Sequence, residues 1–165
     1  MHSLKFFCVI GAIVTVIAGV IGHFVYEWSG NDFLAGLFFP VNESTWEHMK
    51  LLFFPMLAYA LFGGKKLEGR YPGIYHGMFT GILAGLAMIP ALFYTYTGIL
   101  GFDVAWANIA VFVVSVLKAY IVACRTTEEC ARKETRLLRY MMYALILAFM
   151  VFTVYPPKLG IFQSP

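Results

Sequence analysis

Two groups of imidazole and carboxylate side chains lie where one apolar segment ends and the next begins. The first group is His23 and Glu27, which are four residues apart and therefore share a helix face. The second group is Glu43, Glu47 and His48. Divalent metals such as zinc bind neutral imidazoles and ionised carboxylates. The pattern therefore predicts a polar pocket of His23, Glu27, Glu47 and His48, in which a divalent metal could bind.

A metal in this pocket could activate water for hydrolysis, with Glu43 or Glu47 as the catalytic base. The same residues also have a purely structural interpretation. Ser44 and Glu47 have the spacing of a helix capping box, and Asn42 is typical of a local turn. The chain contains no HExxH motif. The sequence therefore leaves the catalytic and the structural interpretation open.

The composition is that of a membrane protein. Hydrophobic residues make up 61% of the 165 residues and charged residues 13%, whereas soluble domains have about half apolar and about 25% charged residues. The net charge of +3 comes from bases in loops between apolar runs, so it gives no support for nucleic-acid binding. The three cysteines show neither a CxxC pair nor a metal-binding spacing, so we expect no disulfide framework.

Five apolar segments approach the length of about 20 residues that a membrane-spanning helix needs. We predict an all-α bundle of five transmembrane helices, in a single transmembrane domain over residues 1–165 that is embedded in the lipid bilayer. The predicted helices cover residues 5–28, 44–62, 73–97, 103–124 and 140–154. The run FLAGLFFP between the first two is too short to span, so we expect a re-entrant or interfacial segment there.

Gly77, Gly81 and Gly85 recur every four residues in the third predicted helix. Small residues at this spacing let two helix backbones approach closely in a membrane. We therefore expect this helix at the close-packed centre of the bundle. The same glycine face also suggests a packing surface for a homo-oligomer or for a membrane partner.

Asn108, Ser115 and Lys118 lie roughly on one face of the fourth predicted helix. Ionisable residues inside a membrane helix mark ion or proton paths. The simpler alternative is that the Lys118 side chain extends to the membrane surface. A small transporter or channel is therefore the alternative to a metal-dependent hydrolase or lipid-modifying enzyme, and a non-catalytic accessory or assembly subunit is the third class.

The basic residues predict how the chain is oriented. With five spans, nine of the twelve Lys and Arg residues fall on one side of the membrane, at Lys5, 65–70 and 125–139. The positive-inside rule then predicts a multi-pass protein with its N-terminus in the cytoplasm and its C-terminus outside. The predicted polar pocket lies at the outer face. His76 lies at the opposite face, which argues against a three-histidine zinc site.

The segments GHFVYEWSGN, FFPVNESTWEHMKLLFFPML and FYTYTGILG resemble a family of small bacterial membrane proteins that is described as a domain of unknown function. The match covers the first three helices, and the tail VYPPKLGIFQSP follows the family's pattern loosely. Ordered matches of the type NESTWEH make the resemblance specific. It implies a protein of the bacterial cytoplasmic membrane, and it implies no activity.

Overall fold

The structure is a computed structural model that describes residues 2–129 and 135–164. It confirms the predicted helical bundle, and no strand occurs in the described part of the chain. The helices are α1 (His2–Trp28), α2 (Phe33–Phe38), α3 (Thr45–Gly64), α4 (Ile74–Leu100), α5 (Ala105–Glu129) and α6 (Arg136–Val154), followed by a short 3-10 helix (Gly160–Phe162). Cys130, Arg132 and Lys133 of the predicted basic loop lie outside the described residues.

Within the described ranges, four helices are long and apolar enough to cross a membrane: Ser3–Trp28 of α1, and all of α4, α5 and α6. The α3 helix runs antiparallel to α1, because His48 lies beside His23 and Gly63 packs against Phe7. The stretch of α1 from Phe7 to His23 is about 24 Å long at 1.5 Å per residue. The fifth membrane crossing that the sequence predicts falls on α3, and it stays a prediction.

Neighbouring helices enclose much of the α3 helix. Leu52, Phe53, Met56 and Ala60 on this helix are fully buried. By contrast, α1 presents a row of exposed apolar side chains that includes Ile13 and would face hydrocarbon. A helix that is shielded from lipid can carry charged side chains at less cost than one that faces it. This explains how α3 can hold both a glutamate and a lysine on its first turns.

The glycine face of α4 packs against α5. A Cβ atom added to Gly77 would lie 2.5 Å from the carbonyl oxygen of Ala123, and one added to Gly85 would lie 2.9 Å from Cβ of Ala119. A Cβ atom on Gly81 would overlap the carbonyl oxygen of Ala119. The structure therefore corrects the predicted partner surface. Because α5 of the same chain already covers this face, it is not available to a second copy or to a membrane partner.

Candidate functional site

The candidate site lies at the end of the bundle where α1 ends and α3 begins. His23 comes from the last turns of α1, Glu43 from the loop before α3, and His48 from the first turn of α3. One ligand atom from each residue lies within 4.8 Å of the others. Glu43 is central to this group, since its Oε2 is 3.3 Å from His48 Nε2 and its Oε1 is 3.8 Å from His23 Nε2. We call these three residues the histidine–glutamate cluster.

The backbone fixes the orientation of the His48 ring. His48 Nδ1 lies 3.0 Å from the carbonyl oxygen of Ser44. A carbonyl oxygen can only accept, so Nδ1 carries a proton and donates it, and Nε2 is left facing Glu43. In a neutral imidazole Nε2 is an acceptor, and it then faces a carboxylate oxygen that is also an acceptor. A proton on either group, or a metal cation between the two atoms, makes this contact favourable.

Hydrogen bonds within the loop before α3 place Glu43 between the two histidines. The predicted Asn42 turn is present, because Asn42 Oδ1 accepts from the Ser44 backbone N–H at 2.9 Å. Ser44 Oγ in turn accepts from the Glu47 N–H at 3.3 Å and caps α3. The other half of the predicted capping box does not form. The Glu47 carboxylate accepts instead from the N–H of Val41 at 3.0 Å.

The predicted placement of Glu47 in the polar pocket needs correction. Its carboxylate is buried and lies 2.7 Å from Nζ of Lys50, which is also fully buried. Lys50 Nζ further donates to the carbonyl oxygen of Gly36 in α2, at 2.9 Å, and to Oγ1 of Thr153 in α6, at 2.6 Å. Adjacent helical residues point about 100° apart, which lets Glu47 and His48 face different neighbours. The structure turns His48 to the cluster and Glu47 to Lys50.

Sequence reasoning did not identify this buried pair. The available signal was the spacing, because Glu47 and Lys50 are three residues apart and therefore neighbours on a helix. Glu27 also takes no part in the cluster. It lies four residues beyond His23, about 6 Å further along α1, and its side chain is exposed.

A cavity of about 290 Å³ adjoins the histidine–glutamate cluster between α1, α3 and α5. The three cluster residues and Asn108 form its polar end. Its remaining walls are apolar and include Phe24 and Phe112. The cluster therefore faces a space that could admit a small ligand group.

A second polar group lies beside the cavity, at the junction of α4 and α5. Asp103 Oδ1 accepts from the Tyr96 hydroxyl at 2.6 Å and from Asn108 Nδ2 at 2.8 Å. The hydrogen bond from Tyr96 holds the pKa of the Asp103 carboxyl below its usual value. Asp103 therefore stays ionised close to the cluster.

The residues of the predicted transport path do not lie together. Asn108 lines the cavity, Ser115 is fully buried within the bundle, and the Lys118 side chain is exposed. Ser115 and Lys118 are three residues apart, so they point about 60° apart around the helix. The structure thus places Lys118 on the outside of α5, and no polar path through these three residues is formed in the described part of the chain.

The fold and the site define a class of protein. It is a helical membrane bundle in which two histidines and a glutamate lie together at one end. The chain belongs to the family of unknown function DUF6512, whose family model matches residues 1–165. This match confirms the resemblance to an uncharacterised family. No curated protein and no solved structure shows a significant match to the chain.

Proposed function

We propose that this chain is a hydrolase of the cytoplasmic membrane that depends on a divalent metal such as zinc. The close approach of His23, Glu43 and His48, with ligand atoms within 4.8 Å of one another, carries the proposal. Two imidazoles and one carboxylate form a ligand set of catalytic zinc sites, where a further position is left for water. Zinc in such a site supplies an activated water and polarises the bond under attack.

The hydrogen bonding of His48 supports a cation in the histidine–glutamate cluster. Its Nδ1 proton is donated to the Ser44 carbonyl oxygen, which is how proteins commonly orient histidine ligands. The His48 Nε2 lone pair and the Glu43 carboxylate then converge at 3.3 Å. A divalent cation accepts electron pairs from both atoms, which turns an unfavourable contact into a binding site.

The roles of the glutamates in this proposal differ from those that the sequence suggested. Glu43 becomes a metal ligand, and Glu47 is committed to Lys50 and to the Val41 N–H. Asp103 is a further carboxylate next to the cavity, because its Oδ1 accepts a hydrogen bond from the cavity-lining residue Asn108. The hydrogen bond from Tyr96 keeps Asp103 ionised and thus able to accept a proton, while the lowered pKa makes it a weaker base than an ordinary aspartate.

Metal binding gives the direct test of this proposal. The purified protein should retain about one zinc ion per chain after dialysis, as measured by elemental analysis. Loss of a residue that is hydrogen-bonded to a metal ligand typically lowers the metal affinity by roughly 10–100-fold. Because His48 is itself a proposed ligand, His48→Ala should lower the zinc affinity by more than this.

His76→Ala is the matched control, because His76 lies outside the cluster and near the start of α4. This variant should bind zinc like the wild type. Equal zinc content in the wild type and in His48→Ala would refute the metal centre.

We also propose that the N-terminus is cytoplasmic, so that the histidine–glutamate cluster faces the outside. The bases Lys65, Lys66 and Arg70 follow α3 at the end of the bundle opposite the cluster, which the positive-inside rule assigns to the cytoplasm. In a variant without the three native cysteines, Lys158→Cys should react with a membrane-impermeant maleimide on intact cells. Gly69→Cys should react only after the cells are opened.

Both test positions are exposed, and a side chain at Gly69 meets no atom within 4 Å, so neither substitution should disturb the fold. Labelling of Gly69→Cys from outside, with Lys158→Cys protected, would reverse the proposed orientation. The cluster would then face the cytoplasm.

A further inference from the structure

The cavity beside the histidine–glutamate cluster changes from polar to apolar along its length. The cluster and Asn108 form one end. Gly19 lines the cavity four residues before His23, which places it about 6 Å deeper along α1. Leu51 of α3 forms part of the wall and is itself buried. A ligand that fits this space has a polar group at the cluster and an apolar part that points into the bundle.

The cavity opens sideways, between α1 and α5. Val20 and Phe24 on α1 and Ile109 on α5 line the cavity, yet 49%, 42% and 61% of their respective surfaces are exposed. These exposed faces belong to helices that are apolar enough to cross a membrane. The mouth of the cavity therefore opens onto the surface that hydrocarbon would cover.

Two exposed tryptophans indicate where the membrane–water interface is expected at this end of the bundle. Trp28 at the end of α1 and Trp106 at the start of α5 are both exposed at this end of the bundle. Exposed tryptophans are enriched at membrane–water interfaces. The cluster consequently lies close to the level at which the ester groups of membrane lipids are found, and the apolar wall lies deeper.

We infer that the substrate is an ester-linked membrane lipid that enters from the bilayer between α1 and α5 and places its ester group at the histidine–glutamate cluster. This inference rests on the proposed function. The cavity measures about 290 Å³, at the lower end of the roughly 300–1,000 Å³ of typical ligand pockets. It could hold the ester and the first part of one acyl chain, while the rest of the lipid stays in the bilayer.

The reaction that follows is the hydrolysis of the ester. The oxygen of water forms a bond to the acyl carbon, and the bond between that carbon and the alcohol oxygen breaks. One proton of water passes to the departing alcohol, and the acyl product leaves as a carboxylic acid. No oxidant or further reactant is needed.

The test places the protein in vesicles of phosphatidylethanolamine and phosphatidylglycerol that contain a trace of a lipid with a diazirine on its acyl chain. After illumination, mass spectrometry locates the cross-links. Leu51 is only 7% exposed, but it also lines a second cavity, on the side of α2. A label on Leu51 therefore reports a chain in the cavity beside the cluster only if a block at Ile109, which lines that cavity and not the second one, removes it. Ile109→Trp should block the mouth and remove this label. Val114→Trp, a change on the lipid-facing surface of the same helix that does not line the cavity, should leave it.

The outcomes separate this inference from the proposed function. Zinc binding that is unchanged in Ile109→Trp, together with loss of the label on Leu51, supports lateral entry of a lipid. Zinc binding with no label on Leu51 in the wild type, or with a label that Ile109→Trp leaves intact, overturns the inference and leaves the metal centre standing. A wild-type protein that binds no zinc refutes the proposed function itself.

Discussion

Lys50→Met should destabilise the folded protein by about 3–5 kcal/mol, which is the typical cost of removing one partner from a buried ion pair. Lys50 is fully buried, and its Nζ lies 2.7 Å from the Glu47 carboxylate. Glu47 is buried as well, with 2% of its surface exposed. The substitution keeps the volume of the side chain but leaves that carboxylate buried without its cation. Thermal or denaturant unfolding in detergent micelles measures the change in the free energy of unfolding.

A second substitution separates the ion pair from a simple packing defect. Glu47→Gln removes the unpaired charge while its amide oxygen can still accept from the Val41 N–H. The double variant of Lys50→Met and Glu47→Gln should therefore be more stable than Lys50→Met alone, since neutral replacements of buried ion pairs are often tolerated. Lys118→Met is the matched control on an exposed helical lysine and should unfold like the wild type. Lys50→Met unfolding at the wild-type midpoint would contradict the buried pair.

The buried pair also positions the candidate site. Lys50 connects α3 to Gly36 in α2 and to Thr153 in α6. Glu47 holds the backbone at Val41, two residues before Glu43. The network therefore fixes the loop that carries Glu43 and the first turn of α3 that carries His48. The same contacts therefore stabilise the helix packing and position two residues of the cluster.

The bundle could be predicted from the sequence because lipid imposes strong rules on helix composition. Apolar runs predicted helices at 73–97 and 140–154, and the structure has α4 at Ile74–Leu100 and α6 at Arg136–Val154. The run FLAGLFFP was predicted to be a re-entrant or interfacial segment between the first two long helices, and its placement relative to the membrane stays a prediction. In the structure it contains α2, which Asp32 caps through a hydrogen bond to the Ala35 N–H. Local composition was sufficient to predict the long helices, whereas α2 and its Asp32 cap were not predicted.

The composition of the site could be predicted only in part, because it depends on the rotation of α3 and on the path of the loop before it. His23 and His48 were both predicted to lie in the pocket, and the structure brings them together. The carboxylate between them is Glu43, which the sequence suggested as a base, while Glu47 turns to Lys50. Sequence spacing does not show whether Glu47 or His48 faces the pocket, because a small rotation of α3 exchanges the two and leaves the helical spacing unchanged.

Gly81→Ala should destabilise the protein by at least about 1–3 kcal/mol, the usual cost of overpacking a tight core. The added Cβ atom would overlap the carbonyl oxygen of Ala119 and would lie 2.8 Å from Cβ of Ala123. A carbonyl oxygen belongs to the backbone and cannot rotate away, so α4 and α5 would have to separate. The midpoint of thermal unfolding in detergent, followed by circular dichroism, measures the loss.

Gly98→Ala is the matched control, because it makes the same change in the same helix at a position where an added Cβ atom meets nothing within 4 Å. Alanine is favoured over glycine inside a helix by roughly 0.5–1 kcal/mol, so this variant should be as stable as the wild type or more stable. Both variants replace a helical glycine with alanine, and they differ only in the atoms that surround the new methyl group. If Gly81→Ala unfolds at the same temperature as Gly98→Ala, α4 and α5 do not pack through this face, and the glycine stripe would be free to contact lipid or another protein.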